Sequence, residues 1–270
     1  MQFRLFRAVG AVGFVAWLAA AGALPGAELT PLTIQVEGTP RTALAYFPAK
    51  APPAGSPLVF VFHGHGGSAA SAVRGFDIHS RWPEAICVYP EGLPTPSRLD
   101  PEGKQSGWQR GPGEMDDRDV KLFDALLARL RKEHKIDERR IYAAGFSNGG
   151  FFTYTLWAVR GDVLAAVAPC ACLAGDSLNL LKPKPCLHLA GKADRVVAAR
   201  LQFQTIAGIR RLNKCGETGV AWNPGPRIAV TYYDSPSGTP FVSVIHSGGH
   251  ILPQSTGAWI VRFFKAQVRP

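Results

Sequence analysis

The stretch Ile141-Tyr142-Ala143-Ala144-Gly145-Phe146-Ser147-Asn148-Gly149-Gly150 decides how this chain is read. An apolar run at 140–144 predicts a strand, and residues 148–159 repeat with the helical period. Between them stands G-x-S-x-G. A serine hydroxyl is a weak nucleophile and has to be exposed beside a base. A sharp strand-to-helix turn exposes it, and the turn needs glycine on both sides because strand and helix close up there. The same turn sets the oxygen at a helix N-terminus, where backbone N–H groups favour negative charge. Ser147 is therefore the candidate nucleophile. The other reading of the pattern is an ordinary glycine-rich turn.

Outward from this turn, continuous apolar runs recur at 58–62, 85–89, 164–168 and 186–190. Such runs suit strands covered on both faces, as in a parallel sheet. Helical patterns lie between them, at 117–134 (Val120, Phe123, Leu126, Leu127, Leu130) and at 197–212. Asp116 or Asp117 is placed to cap the first of these. Strands are also predicted at 32–36 and 43–47, and a last pair at 228–233 and 241–245 precedes a closing helix at 253–268. The alternation implies crossovers and a mostly parallel central sheet flanked by helices, an α/β architecture. The short irregular stretch 172–185 leaves room for no large lid. With 270 residues, 46% of them hydrophobic, one core can be buried, and residues 28–270 are predicted to form a single domain.

Residues 1–27 are set apart as a secretory signal peptide. Arg4 and Arg7 precede an apolar run at 8–24 that ends in Ala21-Gly22-Ala23, and cleavage is predicted between Ala21 and Ala27. An uncleaved anchor is the other reading. The predicted localisation is secreted or periplasmic. The net charge is +10, but Arg129, Arg131, Lys132, Lys135, Arg139 and Arg140 are interleaved with Glu133, Asp137 and Glu138. That pattern reads as a solvated face rather than a nucleic-acid patch. Of five cysteines, Cys87 reads as a core thiol. Cys170, Cys172, Cys186 and Cys215 allow three pairings, among which the sequence does not choose.

A second glycine-rich element, His63-Gly64-His65-Gly66-Gly67, follows the run at 58–62. An oxyanion formed during acyl transfer needs two backbone N–H donors. One is expected from Asn148, after the nucleophile, and one from His65 in this loop. Two histidines two residues apart, without a neighbouring carboxylate, are not a metal site. The base is sought among seven histidines. His188 reads as core, His134 as a helix face and His79 as part of a polar loop. His250 follows Ser247-Gly248-Gly249 between the last strand and the final helix, and is the candidate base, with His246 as the alternative. The acid is expected at Asp194, in Gly191-Lys192-Ala193-Asp194 just past a strand, with Asp176 and Asp234 as alternatives. Trp108 and Trp82 read as cleft walls or as core residues.

These segments, with Tyr89-Pro90-Glu91-Gly92, Gly107-Trp108 and Asp116-Asp117, together resemble the α/β-hydrolase esterases that include polyhydroxybutyrate depolymerases and feruloyl esterases. The resemblance implies an α/β-hydrolase fold without a large lid. It further implies hydrolysis of carboxylic esters (polyhydroxybutyrate-type, feruloyl or related) through an acyl-serine, with no cofactor. Members often have a tryptophan after Gly-Gly-His, where this chain has Ile251, and tend to pair a cysteine near Cys215 with one near position 235, here Ser235. No appended polymer-binding domain is expected after the last helix. The expected partner is a small or oligomeric ester, with neither nucleic acid nor membrane. Oligomeric state has no signature in the pattern. An acyltransferase using the same acyl-serine, or a binding protein on this scaffold, are the other readings.

Overall fold

The structure is a computed structural model and describes residues 28–222 and 227–270, so the expected signal peptide lies outside the described residues. The chain opens with an antiparallel hairpin, β1 (Leu29–Val36) and β2 (Thr39–Tyr46), turned at Glu37-Gly38, where both residues have positive φ. Then follow β3 (Ser56–Phe62), α1 (Ala69–Phe76), α2 (Ile78–Arg81) and β4 (Ile86–Pro90). A short ribbon of β5 (Leu93–Pro94) and β6 (Ser106–Gly107) precedes α3 (Arg118–Glu133). Next come β7 (Ile136–Phe146), α4 (Asn148–Arg160), β8 (Ala166–Cys170), β9 (Cys186–Gly191) and α5 (Ala199–Leu212). The chain closes with β10 (Val220–Ala221), β11 (Ile228–Tyr233), β12 (Phe241–His246) and α6 (Thr256–Lys265).

Among the described residues, ten strands form one sheet in the order β1-β2-β4-β3-β7-β8-β9-β12-β11-β10. The middle of it, β4 through β12, is parallel, and antiparallel strands finish both edges. Every residue of β3 is buried, because alternate side chains feed two different cores. Phe60 and Phe62 pack with Phe123 of α3 and Phe152 of α4 on one face. Val59 and Val61 pack with Phe76 of α1 and Phe264 of α6 on the other. A continuous apolar run thus marks a strand with helices on both sides. The predicted sheet and flanking helices are observed. The connection 171–185 holds only a six-residue 3-10 helix, Gly175–Leu180.

Several local expectations are corrected. Asp117 occupies the N-cap position of α3, but neither it nor Asp116 makes a side-chain cap hydrogen bond. Both sit at positive φ, away from the extended backbone an N-cap adopts, and the Asp117 side chain turns back to accept from Gln109 Nε2 and Gly113 N–H. His79 is not in an exposed loop; it is buried in α2 with its Nδ1 3.0 Å from Tyr89 Oη. For Trp108 and Trp82 the core reading holds, since both are buried. All five cysteines are free thiols, with Cys87, Cys170, Cys172 and Cys186 buried. The solvated reading of the 129–140 cations is met: Arg129 pairs with Glu133 and Arg131 with Glu138 at the surface. Among the described residues, no helix is long and apolar enough to cross a membrane.

Candidate active site

The parallel strands all end on one edge, and the loops leaving β3, β7, β9 and β12 meet there. Ser147 follows β7 directly, with φ 53° and ψ −118°, a region that a side chain adopts only under constraint. Its N–H is held by the Cys170 carbonyl at 2.8 Å. The flanking glycines are there for space. A Cβ on Gly145 would lie 2.2 Å from the Gly149 carbonyl oxygen, and one on Gly149 2.4 Å from that of Phe62. Strand, turn and helix touch backbone to backbone, which leaves the Ser147 side chain pointing outward.

His250, four residues past β12, places Nε2 2.8 Å from Ser147 Oγ and Nδ1 2.8 Å from Asp194 Oδ2. Asp194 is buried and heavily hydrogen-bonded. Its Oδ1 accepts from Val196 N–H and Val197 N–H, both at 2.9 Å, and its Oδ2 also accepts from Gln202 Nε2 at 2.9 Å. With the carboxylate acting as acceptor, His250 donates from Nδ1, and Nε2 is free to accept the Ser147 proton. The alternatives do not meet this geometry. His246 is buried with Nδ1 accepting from Gly248 N–H, and burial lowers its pKa. Asp176 and Asp234 are exposed and bond to no histidine.

His63 and His65 diverge. His63 is buried; Nδ1 donates to its neighbour's carbonyl at Gly64, and Nε2 accepts from Gly92 N–H at 3.0 Å. This fixes a neutral tautomer, and burial lowers its pKa. The ring anchors the loop to the end of β4. His65 Nε2 instead lies 3.3 Å from both Asp100 Oδ2 and Ser97 Oγ. Gly64 sits against the nucleophile turn, since a Cβ there would be 3.4 Å from Ser147 Cβ. The Asn148 amide is the first of α4, so it has no acceptor within the helix. The backbone N–H group of His65 thus stands on the loop beside the nucleophile turn, and that of Asn148 at the start of the helix that follows Ser147.

Three supports were missed by sequence reasoning. Gln202 reaches Asp194 from α5, one turn in from its start. Asn148 Oδ1 and Nδ2 clasp the backbone of Trp108, and Trp108 Nε1 donates to the His63 carbonyl at 2.9 Å. Arg41 and Asp119 form a buried ion pair at 2.9 Å, and Asp119 Oδ2 accepts from Gln109 N–H, fixing the segment that carries Trp108. Of these, Asn148 (as a backbone donor) and the Gly107-Trp108 pair stand out in the sequence, and nothing there links the two.

Two clefts meet at the triad. One, of about 420 Å³, is walled by Phe76, Phe146, Ile251 and Leu252, with His250 and the 63–67 loop beside it. The other, of about 320 Å³, contains Ser147 and Asn148 and is walled by Phe151, Leu173, Val196 and Leu201.

Sheet order, helix placement and a serine turn at the end of β7 define an α/β-hydrolase fold. The solved acetyl xylan esterase from Aspergillus awamori has that architecture, with a TM-score of 0.66 over 87% of this chain and 99% of its own, at 12% identity. No family model matches the sequence. Over 125 residues the chain is 30% identical to the bifunctional acetylxylan esterase/xylanase XynS20E of Neocallimastix patriciarum, a match covering 46% of this chain and 16% of that protein. Over 211 residues it is 27% identical to feruloyl esterase D of Neurospora crassa, covering 72% of this chain and 67% of that one.

Proposed function

We propose that this protein is an exported carboxylic ester hydrolase that works through an acyl-serine, with residues 28–270 as its catalytic unit. The observation that carries this reading is the unbroken relay from Ser147 Oγ through His250 to Asp194, both links 2.8 Å long. The likeness to an acetylxylan esterase/xylanase and a feruloyl esterase supports an ester as substrate. The charged and then apolar leader at 1–27 supports export.

In this reading Ser147 Oγ attacks the ester carbonyl as its proton passes to His250 Nε2. The imidazolium that forms is oriented and stabilised by Asp194 through Nδ1. The oxyanion takes hydrogen bonds from the His65 and Asn148 amides. The intermediate then collapses, and His250 returns the proton to the leaving alcohol. Water, deprotonated by His250, attacks the acyl-serine, releases the carboxylic acid and restores Ser147.

A panel of acetylated xylan oligomers, feruloyl esters, hydroxybutyrate oligomers and short-chain 4-nitrophenyl esters tests the reading. Wild type is expected to release acid from at least one member and to accumulate a Ser147-linked acyl adduct on rapid quenching. Ser147→Ala is expected to do neither. Products that are new esters rather than acids, once an alcohol is added, would place the chain among acyltransferases. No turnover of any ester would remove the reading.

A further inference from the structure

The cleft that holds Ser147 has a charge that ester hydrolysis alone does not require. Three of its lining residues are arginines, Arg98, Arg110 and Arg195, and none is acidic. They come from three separate places: the loop between β5 and β6, the segment after β6, and the turn after β9. All three are exposed. Arg110 is held by a ring, not a carboxylate: its guanidinium carbon is 4.4 Å from the centre of Phe151. Arg98 makes one long hydrogen bond, to the Val196 carbonyl at 3.4 Å. Arg195 has no side-chain hydrogen bond or ion pair among the described residues.

The nearby acids are committed elsewhere. Glu114 accepts from the Arg110 amide, at 2.8 Å, and not from its guanidinium. Asp100 faces Gln105 N–H and His65. Asp194 is occupied by Val196, Val197, Gln202 and His250. By contrast Arg41, Arg81, Arg118, Arg129, Arg131 and Arg160 each stand within ion-pair distance of a carboxylate. The arginines of the cleft therefore present open planar forks beside apolar walls, and a concave low-dielectric surface concentrates their field.

We propose that this cleft selects an ester that itself carries a carboxylate, read by Arg110 and Arg195 with Arg98 closing the third side. The proposal rests on the ester-hydrolase reading and narrows its substrate class. The acyl and alcohol arms of the ester both extend from the carbonyl held at Ser147, so the charge is tested on each side.

The test compares esters that differ in charge at matched length. On the acyl side, 4-nitrophenyl hydrogen glutarate is set against 4-nitrophenyl pentanoate; on the alcohol side, 4-acetoxybenzoate against 4-acetoxybenzamide. Uncatalysed rates are subtracted. Wild type is expected to favour the charged member in kcat/KM by about tenfold or more in at least one pair at low ionic strength. That preference is expected to shrink as salt is raised. The ratio should fall towards one in the Arg110→Gln/Arg195→Gln variant and invert in Arg195→Glu. Equal rates, or preference for the neutral ester in both wild-type pairs, would overturn the proposal while leaving ester hydrolysis standing. So would a charge preference that survives the double variant. Failure of wild type on the neutral esters as well, or turnover retained in Ser147→Ala, would instead remove the parent reading.

Discussion

Asn148 grips Trp108 with both ends of its side-chain amide: Oδ1 accepts from the Trp108 N–H at 2.6 Å, and Nδ2 donates to the Trp108 carbonyl at 2.9 Å. A residue proposed to stabilise the oxyanion through its backbone is thus itself held through its side chain. Asn148→Ala keeps the backbone donor but frees it from the clamp. The expected result is a drop in kcat of up to about 10²-fold with a smaller change in KM, as when a positioned group is misplaced by an ångström. Steady-state kinetics on a 4-nitrophenyl ester decide it; an unchanged kcat would mean the clamp serves stability alone.

Four substitutions should rank in a fixed order. Ser147→Ala is expected to lower kcat by on the order of 10⁶, and His250→Ala by about as much, because nucleophile and base act as one unit. Asp194→Asn should cost roughly 10⁴, since the base survives in the wrong tautomer. His65→Ala should cost least, because alanine retains the backbone N–H. A large loss at His65 would show that its contacts with Asp100 and Ser97 hold the oxyanion loop in place.

Buried histidines set the acid limit of stability. Burial pushes His188 down to about 3 from the ordinary 6.5, and its Nε2 has no partner. His63, His79 and His246 shift the same way, chiefly through burial. Below pH 6.5 the unfolded chain binds more protons at these residues than the folded chain does. Stability present at neutral pH is therefore lost as pH falls from 6.5 towards 3, by up to about 1.4 kcal/mol per pH unit for each such proton. Urea titrations between pH 7 and pH 4.5 should show this slope, reduced by about one proton in His188→Gln. Equal slopes in the two proteins would contradict it.

Glycines of two kinds should separate in stability. Gly145→Ala forces a methyl to 2.2 Å from a backbone oxygen that cannot move aside, and roughly 3 kcal/mol or failure to fold is expected. Gly38→Ala meets nothing within 4 Å and bears only the strain of φ +79°, about 1 kcal/mol. Urea midpoints for the two variants measure the difference.

What the sequence determined by itself is what repeats or turns locally. Val59 and Phe60 alternate between two apolar cores, so an unbroken apolar run already says that helices cover both faces of β3. Gly145 and Gly149 bracket Ser147 because the strand-to-helix turn has no room for a Cβ, and this constraint is written in adjacent residues. Chain order then points to Asp194 and His250, and the fold brings His250 to Ser147 and Asp194 to His250. Tertiary structure alone decided the rest. Asn148 on Trp108 and His65 on Asp100 join segments 40 and 35 residues apart, and no periodicity records which segment returns to which. Gln202 reaches back only eight residues to Asp194, but through a turn whose path the sequence pattern does not record. The same holds for Arg98, Arg110 and Arg195. Each reads as an ordinary surface cation, and only the meeting of three loops at the edge of the sheet makes them one charged wall beside Ser147.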